Sequence, residues 1–356
     1  MNDDTRHRAD PGARDGSQGL AAGMTVASAV GHSPADGAGV YAALDLGTNN
    51  CRLLIASPAE DGFRVIDSFS RIVRLGEGIS STGRISEAAI GRTIAALTVC
   101  RDKMRARKAD RLRLIATEAC RAASNAETFR GRVAAATGIE LEVIDRETEA
   151  ALAVIGCSPL IHPKARGAIL FDIGGGSTEL VRIERDGEGD SPRIKAWTSI
   201  PLGVVTLAER FGGHDITPES YASMVQEVAA HTSAFATAHG VDLYGMHLLG
   251  TSGTVTTIGG IHLKLARYDR RKVDGIWMND IEITQAIARL CGMDYRGRVA
   301  NGCIGAERAD LVLAGCAILD AIRQGFPLPK LRVADRGLRE GMLVEMMRED
   351  GVIGMS

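Results

Sequence analysis

The chain has 356 residues, a net charge of −2, and 45% hydrophobic and 24% charged residues. This composition is average for globular proteins and argues against disordered, collagen-like and coiled-coil classes, and the near-neutral charge does not indicate a nucleic-acid partner. Seven cysteines are scattered without CxxC spacing, which argues against a disulfide framework or a zinc site and favours a cytoplasmic location. No apolar run reaches the ~20 residues of a membrane span, so no membrane partner is expected.

Two long segments of the chain have the same order of predicted elements, three strands followed by alternating helices and strands. In the first segment, strands are predicted at 41–46, 51–57, 64–73, 111–117 and 140–144, and helices at 86–107, 126–136 and 148–155. In the second segment, strands are predicted from 168 and at 178–184, 193–200, 246–249 and 331–334, and helices at 218–238, 255–265, 280–290, 308–324 and from near Gly337.

The shared order of elements predicts an ancient duplication that produced two similar α/β domains facing each other. The predicted boundaries are a flexible leader at 1–39, a first domain at 40–160 and a second domain at 161–356. The last helix of the second domain is expected to return to the first.

Each segment begins with a strand that ends in Asp-x-Gly and continues at once into a second strand. The first copy carries Asp45 and the second carries Asp172. Because no helix follows the glycines and GxxxxGK[ST] is absent, these are predicted hairpin turns rather than Rossmann or Walker elements. Glycines that permit positive φ let backbone N–H groups converge on an anion, and the aspartates are candidate Mg²⁺ ligands. The predicted phosphate-binding residues of the two turns are Gly47, Thr48, Asn49, Gly174, Gly175, Gly176 and Ser177.

A single copy of this pattern is more simply an ordinary hairpin, and it is the repetition that favours a binding site. A third glycine-rich element, "LLGTSGTVTTIGG", leaves a predicted strand and enters a predicted helix whose N-terminus would face a phosphate. Its candidate phosphate ligands are Thr251, Ser252, Gly253 and Thr254. Three such loops predict a cleft that binds a polyphosphorylated ligand with a metal ion.

Six stretches of the sequence point together to one protein family. They are "ATEACRAASNAETF", "RETEAALAVIG", "FDIGGGSTELV", "GTSGT", "ERADLVLAGCAILDAI" and "DRGLREGML". Together they resemble the exopolyphosphatase and guanosine pentaphosphate phosphatase family, in its short two-domain form, over residues 40–350. The resemblance implies two duplicated actin-like (ribonuclease H-like) domains, and removal of terminal phosphate from polyphosphate and, in many members, of the 5′-phosphate from pppGpp.

The resemblance also implies roles for two glutamates. Glu118 matches the family glutamate assigned as the base that activates the attacking water, and it follows a predicted strand at its C-terminal end. Glu149 matches a second glutamate and is assigned to metal or water positioning, with Glu147 as the weaker candidate. The alternatives are that Glu118 caps a helix or pairs with Arg121, and that Glu149 complements a helix dipole.

Metal and chain-binding residues complete the predicted site. Asp45, Asp172 and Glu149 are the expected ligands of Mg²⁺, with Mn²⁺ as the alternative metal. Arg308 is expected to reach phosphate, and a basic cluster is a weak candidate track for the polymer, whereas the basic run 101–113 reads as a solvated helix face. The candidate track consists of Arg267, Arg270, Arg271 and Lys272.

Two other functions remain open from the sequence, a phosphotransferase of the same superfamily and a non-catalytic polyphosphate or nucleotide sensor. ADP dependence would identify the phosphotransferase, and loss of both glutamates would have favoured the sensor. A homodimer is expected by the resemblance.

Overall fold

The computed structural model describes residues 39–60, 62–187 and 190–354. The leader predicted at 1–39 therefore lies outside the described residues, apart from Gly39. Within the described part of the chain, no helix combines the length and the apolar character needed to cross a bilayer.

The first mixed sheet has five strands, which are β1 (Tyr41–Leu46), β2 (Asn50–Ala59), β3 (Gly62–Ile72), β4 (Arg111–Ala116) and β5 (Glu142–Val143). They lie in the order β3-β2-β1-β4-β5. The helices of this half are α1 (Ile79–Thr82), α2 (Glu87–Ala106), α3 (Glu118–Ala122), α4 (Ala126–Thr137) and α5 (Arg146–Cys157), followed by a short 3₁₀ helix (Ser158–Leu160). Helix α2 begins at Ser86, whose hydroxyl accepts a hydrogen bond from the amide of Ala89.

The second mixed sheet has six strands, which are β6 (Gly167–Ile173), β7 (Thr178–Glu184), β8 (Arg193–Ile200), β9 (Met246–Thr251), β10 (Trp277–Asn279) and β11 (Lys330–Ala334). They lie in the order β10-β11-β9-β6-β7-β8. The helices are α6 (Val204–Phe211), α7 (Pro218–His239), α8 (Gly253–His262), α9 (Arg270–Val273), α10 (Asp280–Cys291), α11 (Tyr295–Ala300), α12 (Val312–Gly325) and α13 (Leu338–Glu349).

The two sheets share one topology. In the first, β1 is antiparallel to β2 and parallel to β4, and in the second, β6 is antiparallel to β7 and parallel to β9. The order β3-β2-β1-β4-β5 corresponds strand for strand to β8-β7-β6-β9-β11, and β10 is added at one edge of the second sheet. The predicted fold class, a duplicated α/β fold of the actin-like type, is confirmed.

Helices α5 and α13 pack in the layer between the sheets. Helix α13 contacts β1 and β2 of the first sheet, and α5 contacts β7 and β8 of the second. One hydrophobic cluster joins these helices to the inner faces of both sheets, and it includes Ala43, Leu170, Leu152 and Met342. The outer faces are covered by α2 and α4 on the first sheet and by α7, α8, α10 and α12 on the second. The domain boundaries 40–160 and 161–356 stay a prediction.

Most of the elements that the sequence did not predict are short, and α6, with eight residues, is the longest of them. Helices α1, α3, α9 and α11 contain four to six residues, fewer than two turns, so they carry no helical periodicity. The helix predicted from 308 begins at Val312, which leaves Arg308 in a turn. The strand predicted at 140–144 shortens to two residues.

Candidate active site

The two Asp-x-Gly turns have the same backbone hydrogen bond. The amide of Gly47 donates to the carbonyl of Asn50, and the amide of Gly174 donates to the carbonyl of Ser177, each over 2.9 Å. Both turns join antiparallel strands, so they are hairpin turns as the sequence predicted.

The predicted reason for the glycines is wrong. Neither Gly47 nor any glycine of 174–176 has a positive φ. Close approach is the actual requirement in the second copy, because a Cβ on Gly175 would lie 2.9 Å from the Cβ of Thr48. A Cβ on Gly176 would lie 2.9 Å from the Thr48 hydroxyl. The two turns therefore contact each other directly, and the second turn is glycine because the first occupies the space beside it.

These turns form part of the wall of a cleft with an empty volume of about 880 Å³. The loop before α8 and the N-terminal end of α3 complete the wall. The cleft brings together most of the predicted site residues, although their shared location does not test their roles. Those that line it are Asp45, Gly47, Thr48, Asn49, Glu118, Glu149, Asp172, Gly174, Gly175, Gly176, Ser177, Ser252, Gly253, Thr254 and Arg308.

Thr251 is not among the cleft-lining residues. Its hydroxyl donates to the carbonyl of Arg336 over 2.6 Å, which fixes the start of the loop that carries Ser252. The Ser252 hydroxyl in turn accepts from the amides of Thr254 and Val255 and begins α8. Thr251 therefore supports the loop rather than lining the cleft.

The candidate track at 267–272 is also outside the cleft lining. Arg270 lies 2.9 Å from Glu340, an ion pair that joins α9 to α13, and it also donates to the carbonyl of Asp335. Arg267, Arg271 and Lys272 are exposed. The spacing of the basic residues in the sequence did not reveal that Arg270 forms a structural ion pair with Glu340.

The basic run 101–113 was predicted to be a solvated helix face, but α2 ends at Ala106 and the run continues into β4 at Arg111. Lys103 and Arg107 both pair with Asp67, at 2.9 and 3.0 Å, and Arg111 pairs with Asp350. These contacts neutralise much of its charge.

Glu118 and Glu149 are linked through one arginine. The Arg121 guanidinium donates to Glu118 Oε2 over 3.0 Å and to Glu149 Oε2 over 2.8 Å. The alternative pairing of Glu118 with Arg121 is therefore present, yet Glu118 also lines the cleft. Glu147, the weaker candidate, is exposed.

Three of the carboxylates that line the cleft, Asp45, Glu149 and Asp172, lie near a fourth buried carboxylate, Glu179. Burial, with the charges of Glu149 and Asp45, raises the pKa of Asp172 to about 7. Burial, with the charge of Glu179, raises the pKa of Glu149 to about 8. Burial, with the charge of Asp172, raises the pKa of Glu179 to about 7, and burial also raises the pKa of Asp45. Such raised values mean that burial and the neighbouring carboxylates disfavour the ionised form of each group, and a bound cation would favour it.

Glu179 was missed by the sequence reasoning, and so was Arg52. Glu179 is 2% exposed and is the cross-strand partner of Asp172, whereas Arg52 lines the cleft and is the cross-strand partner of Asp45. Each lies seven residues after the strand-ending aspartate. Alignment of the two copies would have identified both positions as equivalent.

Two guanidinium groups line the cleft without an ion pair. Neither Arg52 nor Arg308 has a carboxylate oxygen within 4.0 Å among the described residues. Burial and then the like charge of Arg52 lower the pKa of Arg308, so the two cations repel each other. An anion between them would relieve that repulsion.

The carboxylates near the cleft suit a hard divalent cation whose remaining ligands are supplied by water and substrate. Among the described residues, no three His, Cys, Asp and Glu side chains are arranged to hold a metal ion by themselves. Mg²⁺ keeps several waters and binds through one or two carboxylates together with substrate phosphates. The residues present fit that type of site, with Asp45, Asp172, Glu149 and Glu179 as the available carboxylates.

The comparisons with known proteins identify the family of the chain. The model of the Ppx/GppA phosphatase family matches residues 54–350. The chain is 28% identical to exopolyphosphatase 2 of Mycobacterium tuberculosis, over 86% of this chain and 98% of that protein. It is 27% identical to the guanosine-5′-triphosphate,3′-diphosphate pyrophosphatase of Aeromonas salmonicida, over 86% of this chain and 59% of that longer protein. The crystal structure of the Aquifex aeolicus member of the Ppx/GppA family superposes with a TM-score of 0.72 and 29% identity, covering 88% of this chain and 99% of that one.

Proposed function

Since the chain belongs to the Ppx/GppA phosphatase family, we propose that it is an exopolyphosphatase that hydrolyses the terminal phosphoanhydride bond of inorganic polyphosphate. Removal of the 5′-terminal phosphate of pppGpp, giving ppGpp, is the second proposed reaction. Relatives named for each activity align with 86% of the chain, which supports both substrates.

One observation carries the proposal. Within a single cleft, two unpaired guanidinium groups lie near a group of buried carboxylates whose pKa values are raised by burial and by one another. A polyanion with a bound divalent cation is complementary to both parts, because its oxygens match the arginines and its metal ion matches the carboxylates. Neither a neutral substrate nor a free metal ion would neutralise the whole site.

Phosphatases of this family generally depend on a divalent metal. We assign Mg²⁺, with Mn²⁺ as the alternative, to Asp45, Asp172 and Glu149, with Glu179 added from the structure. When bound, the metal supplies positive charge next to the transferred phosphoryl group.

The side chains of this chain supply the remaining functions. Arg52 and Arg308 bind non-bridging oxygens of the terminal phosphates, together with the hairpin turns that contain Gly47 and Gly174. Glu118 accepts a proton from the attacking water, which then displaces the rest of the polymer in line. Both oxygens of Glu118 accept hydrogen bonds from arginines, which fix the carboxylate at the wall of the cleft.

Phosphorus NMR of the purified protein with long-chain polyphosphate and Mg²⁺, with and without ADP, tests the reaction. We expect free phosphate to appear without ADP while mid-chain signal persists. The Glu118→Gln variant should lose at least about 100-fold in rate, the lower range for loss of a general base. Glu127→Gln is the matched control, because Glu127 also lies in the first turn of a helix but is exposed and pairs with Arg130.

Other outcomes would replace the proposal with a specific alternative. ATP formed only when ADP is present would identify a phosphotransferase. Binding of polyphosphate without turnover of either polyphosphate or pppGpp would identify a sensor. Wild-type activity in Glu118→Gln would remove this glutamate from the role of base.

Three further predictions from the sequence remain to be tested. Light scattering of the purified protein tests the homodimer, cell fractionation tests the cytoplasmic location, and a binding assay with DNA and RNA tests the absence of a nucleic-acid partner.

A further inference from the structure

Glu118 is held by two arginines, one on each oxygen. Arg121 donates to Oε2, and Arg146 donates to Oε1 over 2.9 Å. An attacking water needs a carboxylate oxygen within hydrogen-bond reach. Each oxygen already accepts a charge-assisted hydrogen bond. A second lone pair stays available for a water, but each arginine lowers the affinity of the carboxylate for a proton, so departure of one arginine would make Glu118 a stronger base.

The two arginines differ in how firmly they are held. The side chain of Arg121 is 15% exposed, and it also donates to the carbonyl of Ile144 and to Glu149, both over 2.8 Å. The side chain of Arg146 is 43% exposed. Within the described part of the chain, Glu118 is its single ion-pair partner. Arg121 is therefore fixed by three different acceptors, and Arg146 is the group that is free to move.

The position of Arg146 gives it no evident role in stabilising the helix. Arg146 is the first residue of α5, where a cation opposes the helix dipole. Helix α5 is already capped by Asp145, whose carboxylate accepts a hydrogen bond from the amide of Thr148 over 2.7 Å. Arg146 is 43% exposed in this ion pair whereas Glu118 is 12% exposed, so water reaches the guanidinium and lowers the cost of its leaving for another partner.

A phosphate chain is a suitable second partner for Arg146. The Arg146 guanidinium lies 2.9 Å from Glu118, a carboxylate that lines the cleft, so it is close to the cleft wall. The planar guanidinium matches phosphate oxygens in a bidentate geometry and stays charged at all relevant pH values.

We propose that Arg146 exchanges partners during substrate binding. In the free protein it pairs with Glu118, and in the complex it pairs with a phosphate of the bound chain, which makes Glu118 a stronger base for the attacking water. Arg146 thus binds substrate, and binding of the polymer removes the hydrogen bond of Arg146 from Glu118, the base. This inference rests on the proposed function, in which Glu118 accepts the proton of the water.

A double-mutant cycle with a ligand that is not hydrolysed tests the exchange. Wild type, Glu118→Gln, Arg146→Met and the double variant are titrated with imidodiphosphate and Mg²⁺ in a calorimeter. Methionine keeps an unbranched apolar stem but removes the charge. We expect Glu118→Gln to tighten binding roughly 10-fold when Arg146 is present, because the arginine no longer has to leave a carboxylate, and less than about 2-fold in the Arg146→Met background.

The cycle separates this inference from a general electrostatic effect. Loss of a negative charge from the cleft would tighten binding of any anion equally in both backgrounds, and equal gains would overturn the exchange. Absence of any change in either background would also overturn it and leave Arg146 as a structural ion pair. The outcome does not depend on turnover, so it differs from failure of the proposed function, which shows as wild-type hydrolysis by Glu118→Gln.

Steady-state kinetics supply a second readout that remains usable if a cycle variant does not fold. We expect Arg146→Met to raise KM for long-chain polyphosphate about 10-fold, the loss of one charge-assisted contact. Added guanidinium ion and the Arg146→Lys variant should each restore part of that loss. Arg132→Met is the control, because Arg132 pairs with Glu87 on the surface and should keep the wild-type KM. An unchanged KM in Arg146→Met would contradict the proposal.

Discussion

The two hairpins have the same backbone, but the residue that faces the aspartate on the neighbouring strand is positive in one and negative in the other. In the first copy, Asp45 faces Arg52 on the neighbouring strand, and in the second copy, Asp172 faces Glu179 at the equivalent register position. The first pair combines a negative and a positive group, whereas the second pair places two negative groups side by side. Duplication therefore preserved the hairpin, and a single side chain in each copy set its electrostatic character.

This difference indicates a division of labour between the two copies. A guanidinium that lines the cleft is suited to phosphate oxygens, and paired carboxylates whose pKa values are raised by burial and by neighbouring carboxylates are suited to a divalent cation. The first hairpin should therefore determine affinity for the polyanion, and the second should determine affinity for the metal ion.

Replacement of the cation in the first hairpin should have the largest effect on ligand binding. Arg52→Met is expected to weaken binding of imidodiphosphate about 30-fold, since a hydrogen bond to a charged group contributes about 2 kcal/mol. Calorimetry with Mg²⁺ present measures the change. Arg267→Met is the control, because Arg267 is exposed outside the cleft lining and should bind as wild type. Equal losses in both variants would contradict the special role of the first hairpin.

Replacement of the extra carboxylate in the second hairpin should act on the metal. Glu179→Gln is expected to raise the Mg²⁺ concentration for half-maximal activity about 10-fold, with little change in KM for polyphosphate at saturating Mg²⁺. Glu184→Gln is the control on the same strand, where it pairs with Arg182 away from the cleft. If Glu179→Gln changed the KM for polyphosphate and not the Mg²⁺ dependence, the proposed division between the hairpins would be wrong.

The second hairpin should also make the metal-free protein less stable as the pH rises. The raised pKa values of Asp172, Glu179 and Glu149 mean that the folded protein holds protons that the unfolded chain has already released above its ordinary carboxyl pKa. Stability is therefore lost progressively as the pH rises from the ordinary carboxyl pKa values of 3.8 and 4.5 to the folded-state values of about 7 to 8, and it levels off above them. Thermal unfolding in EDTA measures this as a Tm decrease of about 2–4 °C for each 1 kcal/mol lost. Glu179→Gln should flatten the decrease, and a Tm that rose over this range would contradict the pKa directions.

Glycine substitutions should give the smallest effects and still distinguish the two turns. Gly175→Ala is expected to lower the free energy of unfolding by about 1 kcal/mol, because its Cβ would meet the Cβ of Thr48 at 2.9 Å. Gly47→Ala should change it by less than about 0.5 kcal/mol, because the nearest atom to its Cβ is 3.7 Å away and no positive φ is required. Urea unfolding of both variants measures the contrast. Equal destabilisation would show that the turns do not differ in how closely they are packed.

Much of the fold could be predicted because its signals are local. The strands that end in Asp45 and Asp172 are uninterrupted apolar runs, and the two predicted strands 178–184 and 193–200 match the structure residue for residue. The repeated Asp-x-Gly motif predicted that the two hairpins share one cleft, and in the structure both turns line the same cleft. Glu118 was placed correctly at the end of a parallel strand, because the carboxyl ends of such strands share one edge of the sheet.

The charges were harder to predict, because a charge acts according to the groups that surround it in space. Arg270 and Arg308 were both candidates for binding phosphate, yet Arg270 pairs with Glu340, seventy residues further along the chain, and Arg308 has no such partner among the described carboxylates. Likewise, the link from Arg121 to Glu149 spans 28 residues. Sequence proximity does not report such contacts.

The sequence by itself determined the order of strands and helices, the two hairpins and the presence of acidic and glycine-rich loops, because periodicity and turn chemistry depend on neighbouring residues. Only the tertiary structure decided which glycines are required for close approach, which arginines remain unpaired in the cleft and which carboxylates raise each other's pKa. Those properties depend on desolvation and on distances between side chains from distant parts of the chain, and they exist only after the two sheets have packed together.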